Sequence, residues 1–519
     1  MSTILEMVRL KRPPMSGHNL SHSHKFDGRF GQLIPSLLLE CMPAEKYELA
    51  AAHLIRLPPL LSPVYGDIKV TTEFFFVPNR LVWPNWQEFW ESESALAVPT
   101  IQGMDTFVAN DLADYMGLPT DTTDSAEDVC AMKIAAYCLI WDEYYRSRRL
   151  HTTRFQELLN GDNSAYYAGI AGGSPYNVCH KHEYFTAALD EAQAGSAVTI
   201  PVLTDGTANV RQVSGNTNPA IVRRADNQNP LGGSPTALTS KSGTGFLANT
   251  SGTDAYLDPN GSLEAVIAGE EAMITDLRRA FRLQEFLEDI MRVGQRYTEQ
   301  ILGIYGVKSP DQRLQRPEYI GGHTGTVTIS EVLSTAQTYD ATEPDVDVGD
   351  LSGHGISVSS GKRYRYRVTE HGHILGLTYV RPEVDYVTQG IHRMWSRTNK
   401  LDYPIPHFAN IGEQAILVKE LWLGAGTNKD NTWGYIPRYA ETKVQSNRAS
   451  GKFRTTLQYW TTARKFASEP TLGPTFLEVQ GSEYDHLFKV QGVEQYYALV
   501  YFHILKVTPL PKFSDPRLI

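Results

Sequence analysis

Residues 67–76 alternate cleanly. Ile68, Val70, Thr72, Phe74 and Phe76 fall on one side at period two, and Pro78-Asn79 closes the run. That pattern predicts a β-strand with one face in a core. Residues 47–57 have the same texture and stop at Pro58-Pro59. YYALVYFHILKV, residues 496–507, is apolar at consecutive positions, which predicts a strand central to a sandwich and buried on both faces. HGHILGLTYV (371–380) and QAILVKELWL (414–423) read the same way. These runs lie at both ends of the chain, so one sandwich built from them brings the ends together by non-local pairing.

Two stretches change period. After a Thr275-Asp276 cap, Leu277, Phe281, Gln284, Leu287, Met291, Gly294 and Ile301 recur at spacings of mainly three, four or seven, one face of a long helix ended by Gly303 and Gly306. A second helix is predicted over 126–149, through Met132, Ala136, Leu139 and Ile140. Residues 205–262 have neither period. Gly, Asn, Thr, Ser, Asp and Pro dominate there, and Phe246 and Tyr256 are the only aromatics. A connection of that length is uncommon in a compact domain unless it carries function, so the stretch reads as a surface insertion. No repeat of fixed period runs through the chain, which argues against a propeller or solenoid.

Charge narrows the picture. The 519 residues carry 48 Lys and Arg against 58 Asp and Glu, a net charge of −10. A histone-like positive coat is excluded, and any nucleic-acid contact must come from local patches. With 20% charged and 41% hydrophobic residues the composition is that of a globular protein. Folding at this size can bury about three quarters of the unfolded surface. The four cysteines, Cys41, Cys130, Cys138 and Cys179, form no CxxC pair, which leaves a zinc ribbon or an oxidising compartment without support. There is no signal-peptide core and no apolar run of about 18 residues, so no membrane span is expected and synthesis in a reducing cytoplasm is.

Candidate chemistry mostly fails on spacing. GHGISVSSGKR has five residues between Gly355 and Gly361-Lys362 where a phosphate loop needs four, and Arg363 replaces the magnesium-binding hydroxyl. In Cys179-His180-Lys181-His182-Glu183, two histidines share a strand face but lack further ligands, and His371-Gly372-His373 has the same deficit. Neither GGSP segment forms a nucleophile elbow. The reading is of a protein that is no enzyme and has no cofactor or metal. Lys362, Arg363, Tyr364, Arg365, Tyr366 and Arg367 are the best nucleic-acid candidates. A strand there puts three arginines on one face, able to clamp phosphates, and Lys362 with two tyrosines, able to stack on unpaired bases, on the other. An edge strand charged against aggregation is the competing reading. The run Tyr144-Tyr145-Arg146-Ser147-Arg148-Arg149 reads as a solvated helix end.

Several blocks, in a constant order from about residue 19 to 505, resemble the major capsid protein family of the Microviridae, especially its gokushovirus branch. They are NLSHSHKF, GQLIP and MPAEKY near the start, EFFFVPNRLVWPNWQEF (73–89), HKHEYFTAALDEAQAG (180–195), FLEDIMRVGQRYTEQI, LQRPEYIGG, QGIHRMW, FANIGEQ and WGYIPRYAETKV. Two departures stand out. The family's Pro-Trp-Pro-Gln-Lys-Gly is here Asp190-Glu191-Ala192-Gln193-Ala194-Gly195, and its Pro-Gly-Asp is Pro43-Ala44-Glu45. The resemblance implies a mainly β fold, a single eight-stranded jelly roll over 1–519 with long helical and loop insertions. It further implies self-assembly into a T=1 icosahedral shell around circular single-stranded DNA. The partners implied are a small basic DNA-packaging protein, an internal scaffolding protein, a minor pilot protein and a host surface receptor, with assembly in the host cytoplasm. Residues 205–262 lie where the family's threefold protrusion falls, which makes Phe246 and Tyr256 host-contact candidates. The competing class is a β-sandwich carbohydrate-binding module or glycan-processing enzyme, suggested by the Trp and Tyr content.

Overall fold

In the computed structural model the alternating runs pair into two antiparallel sheets. The structure describes residues 14–92, 96–120, 122–123, 125–196, 198, 274–335, 349, 351–424 and 428–513, and the backbone of six short strands between 209 and 266. The strands of the two sheets are β1 (Ser16–Asn19), β2 (His22–Gly28), β3 (Ile34–Cys41), β4 (Lys46–Arg56), β5 (Ile68–Pro78), β6 (Glu318–Thr326), β7 (Thr328–Leu333), β8 (Leu351–Ser360), β9 (Tyr364–Arg367), β10 (Gly372–Pro382) and β11 (Tyr496–Thr508). In the first sheet β11 lies between β4 and the pair β1 and β2, while β8 and β9 share the other edge of β4 and β7 follows β8. The second runs β6–β5–β10–β3.

Alternation dictates how they face each other. Leu37, Phe74, Phe76 and Ile374 from the second sheet and Tyr47, Leu49, Val500, Phe502 and Ile504 from the first form one buried cluster. The Phe74 and Phe502 rings meet edge to face at 6.2 Å. The intervening residues Phe75 and Val77 point the other way, and β10 likewise sends Leu375 and Leu377 there. A helix, α1 (Met132–Ile140), covers that side with Ile134, Tyr137 and Cys138. The Phe74–Phe76 triplet thus fills two layers, because adjacent strand residues face opposite ways.

Several expectations shift. Instead of spanning 126–149, the second helix begins at Met132 and ends in a π turn at Trp141–Tyr145, with Val129–Cys130 paired as a strand to Thr100–Ile101. The long helix breaks into α2 (Ile274–Val293) and α3 (Tyr297–Tyr305), because Gly294 adopts φ 113°. Gly306, at φ 68°, then caps α3. Residues 414–423 are strand only through Leu417 and then turn helical at Val418–Leu421. Trp83 is buried within its own chain, its Nε1 donating to Asn160 Oδ1 at 2.8 Å. β11 is central in its sheet as expected, yet only one of its faces is buried.

The contacts divide the chain into two compact units, 1–194 with 288–519, and 195–287. In the second unit the stretch read as loop carries three nested antiparallel pairs: Asn209–Gln212 with Leu263–Val266, Arg223–Arg224 with Ala255–Tyr256, and Thr239–Ser240 with Leu247–Ala248. Backbone pairing between short strands needs turn formers more than apolar content, so composition alone masks it.

The turn between β3 and β4 joins the two ends of the fold. Glu45 is fully buried and takes a 2.8 Å ion pair from Lys506 on β11. Tyr47 and Thr508 each donate a hydroxyl to it at 2.7 Å, and the Met42 amide donates at 3.1 Å. Next to it Ala44 sits at φ 74°, where the resembling family has glycine. A side chain in that left-handed region costs about 1–2 kcal/mol. Ala44→Gly is therefore expected to raise stability by up to about 1 kcal/mol, the gain in backbone fit being offset by a freer unfolded chain. Urea unfolding measures it, and a lower midpoint for the glycine variant would refute the strain.

Candidate nucleic-acid interface

Because β11 is flanked on both sides in one sheet, its outward residues fall into register with those of its neighbours. Arg56, Tyr497 and Asp27 form one row across β4, β11 and β2. Leu54, Leu499 and Lys25 form the next, and Ala52, Tyr501 and Ser23 the third. Towards the other end come Ala50 with His503, then Glu48, Leu505 and Asn19, then Lys46, Val507 and Gly17. β9 continues this face, with Arg365 opposite Glu48 and Arg367 opposite Lys46. Much of this face is open to solvent: Tyr497 is 52% exposed, Tyr501 48% and Val358 of β8 74%, although Ala50 is buried.

The six candidates on 362–367 separate by side. Arg363, Arg365 and Arg367 are exposed, and Arg363 and Arg365 each reach a Glu48 carboxylate oxygen at 3.1 Å. The hydrogen bond from Arg365, helped by Arg363, holds the Glu48 carboxyl below its ordinary range. Lys362 is exposed just before the strand. Tyr364 and Tyr366 turn inward. Tyr364 donates its hydroxyl to the Gly322 carbonyl at 2.6 Å, and Tyr366 donates to Glu318 Oε2 at 2.9 Å. The Tyr364 ring needs glycine beneath it, since a Cβ on Gly321 would lie 2.3 Å from it. Both tyrosines are thus packing residues, and β9 hydrogen-bonds to a neighbour only along β4, as an edge strand does.

Sequence reasoning missed the other members of this face. Lys25, Lys46, Arg56, Arg363, Arg365 and Arg367 face two carboxylates, Asp27 and Glu48, on a chain of net charge −10. Among the described residues Lys25, Lys46, Arg56 and Arg367 have no ion pair. The signal was present as a charged or aromatic residue at alternate positions of three separate strands, which no local window joins.

The remaining candidates resolve into structure. Arg146, Arg148 and Arg149 are paired with Asp142, Glu143 and Asp190, along a cleft of about 670 Å³ rather than on a solvated helix end. His180 is buried beside Arg464 and Arg381; burial first, then those charges, push its ring well below the ordinary value. Burial likewise lowers His373 to about 4, while His371 stacks on Trp90 at 4.9 Å. Among the described residues no three His, Cys, Asp or Glu side chains gather as a metal site. Residues 355–360 lie within β8, not in a strand-to-helix loop. Phe246 lies outside the described residues, and Tyr256 is described only as backbone paired to Arg223.

Two sheets packed face to face thus leave one outer side that carries six cationic side chains against two carboxylates. The family model for capsid protein (F protein) matches residues 7–518, and the chain belongs to that Microviridae family. It is 32% identical to capsid protein VP1 of Bdellovibrio phage phiMH2K, across 89% of this chain and 87% of that one. It is 28% identical to capsid protein VP1 of Chlamydia phage 1, across 97% and 95%. Capsid protein VP1 of Spiroplasma virus 4 is 26% identical over 97% and 95%.

Proposed function

We propose that copies of this chain assemble into a T=1 icosahedral shell around a circular single-stranded DNA genome, with the bare sheet face turned to the DNA. The observation that carries this reading is the concentration of positive charge on one face of an acidic chain. The fold suits the task. Taking β1 with β2 as one strand and β7 to β9 as another gives eight, ordered 1-8-3-6 in one sheet and 2-7-4-5 in the other. That order supports the reading of a jelly roll made of two Greek keys, whose loops are free to serve neighbouring copies. A small basic packaging protein supplies charge that a −10 chain lacks, and a scaffolding protein, a pilot protein and a host receptor complete the partners. Assembly takes place in the host cytoplasm and the product is the virion.

Sizing of the purified protein tests the class: megadalton shells support it, whereas a stable monomer favours a carbohydrate-binding module. Replacing Arg363, Arg365 and Arg367 with Gln should leave shell formation intact and lower the packaged DNA, read as the ratio of 260 to 280 nm absorbance. Undiminished DNA in such shells would remove the arginines from the reading.

The insertion, residues 205–262 with Phe246 and Tyr256, is proposed as the host-facing element. Polar, turn-rich segments with an occasional aromatic adapt well to a foreign surface. Deleting residues 206–261 across a short Gly/Ser bridge should give shells that assemble but do not adsorb to host cells. Normal adsorption would end the receptor role.

A further inference from the structure

We infer that Tyr497 and Tyr501 of β11 are stacking platforms for unpaired DNA bases, with Lys25 and Arg56 holding the adjoining phosphates. This rests on the reading of the chain as a DNA-enclosing shell protein. Edge protection accounts for arginines on β9, but it cannot account for tyrosines on β11, which is hydrogen-bonded on both sides. Two large half-exposed rings at the centre of a sheet mark an interaction surface. Neither hydroxyl has a hydrogen-bond partner among the described residues, so the rings are not held down as those of Tyr364 and Tyr366 are. The row through Tyr501 has the small residues Ser23 and Ala52 beside it, and Tyr501 is 48% exposed.

The chemistry of the rim selects the occupant. An open, shallow depression of about 500 Å³ lies at Tyr497, bordered by Lys25, Asp27, Leu54, Arg56 and Leu499. One aromatic floor with two unpaired cations at its edge fits a nucleotide: base on the ring, phosphate on Lys25 or Arg56. A basic protein partner would be repelled by the same rim. Tyr497 and Tyr501 are four residues apart on one face, about 13 Å along the strand. Bases stacked in a duplex repeat every 3.4 Å or so, hence at most about four nucleotides separate the two platforms, and fewer when the strand is stretched. A duplex presents no base faces, so the site takes single strands.

Binding of a fluorescent oligo-dT to full-length protein tests this, alongside photocrosslinking of iododeoxyuridine-substituted DNA within shells. Tyr497→Ala and Tyr501→Ala should each weaken binding about fivefold or more, while Tyr497→Phe and Tyr501→Phe bind as the unaltered protein does. Lys25→Gln and Arg56→Gln should each lower the salt dependence by about 0.7 of a unit of slope, which the tyrosine variants leave unchanged. Crosslinks should map to the two tyrosines. If the unaltered chain binds DNA and the alanine variants bind it equally well, the platforms are wrong and the shell reading survives. If the unaltered chain binds no DNA in either assay, both fall. Phe variants that fail like the Ala variants would show that the hydroxyl rather than the ring face makes the contact, and would overturn the assignment too.

Discussion

Lys506→Met should lower the stability of the subunit in urea by about 3–5 kcal/mol at neutral pH, because it leaves the buried Glu45 carboxylate without its cation. The methionine roughly conserves the aliphatic stem, so the deficit reports the charge. The pH dependence has a definite sign. Burial pushes the Glu45 carboxyl up, but Lys506, Tyr47, the Met42 amide and Thr508 together hold it below the ordinary 4.5. A carboxyl depressed by folding contributes stability that is whole above 4.5 and lost as pH falls through its lowered value. Without Lys506 that depression shrinks, so the two proteins should converge as acid protonates Glu45. A deficit constant between about pH 3 and 7 would mean that packing of the lysine stem, not the ion pair, was lost.

Phe74→Ala should cost a similar amount, about 3–5 kcal/mol. Phe74 is 2% exposed and meets Phe502 from the opposing sheet, so truncation opens a hole where the two layers touch. Removing Phe75 instead opens the layer between the second sheet and α1, where it packs on Tyr144 at 4.8 Å. The two sites belong to different clusters, so their separate costs should nearly add. A double variant much less unstable than the sum would show the two layers to be one coupled core.

Much of this was legible in the chain. Period two at 68–76 gave both the strand and its inward residues, and the long β11 was found to within a residue. What stayed hidden depended on partners distant in sequence. YYALVYFHILKV looks apolar on both sides because tyrosine, leucine and valine on an open face are indistinguishable from buried ones until the neighbouring strands are known. KRYRYRV gave the right alternation, yet which side faced out depended on Gly321 and Glu318, some 45 residues away. Lys25 and Arg56 carried no signal alone; only the register with β11 puts them beside Tyr497. Gly294 was read as one more member of a helical stripe, although its freedom to take φ 113° is what ends α2.

The position of β11 also fixes an order in time. β2 and β4 are both translated within the first 56 residues, but the strand that joins them begins only at Tyr496. Throughout synthesis of everything between, β2 has no mate and one edge of β4 stands open, waiting on a pairing of very high sequence separation, the slowest kind to form. The same last strand brings Lys506, which neutralises Glu45, and the two tyrosines of the bare face. A chain that stops short therefore lacks the seam of its sheet, the counter-charge of its buried acid and the aromatic floor of its basic face all at once. Completion of translation acts as a single gate, and unfinished chains have neither a closed sheet nor the complete face proposed to meet DNA.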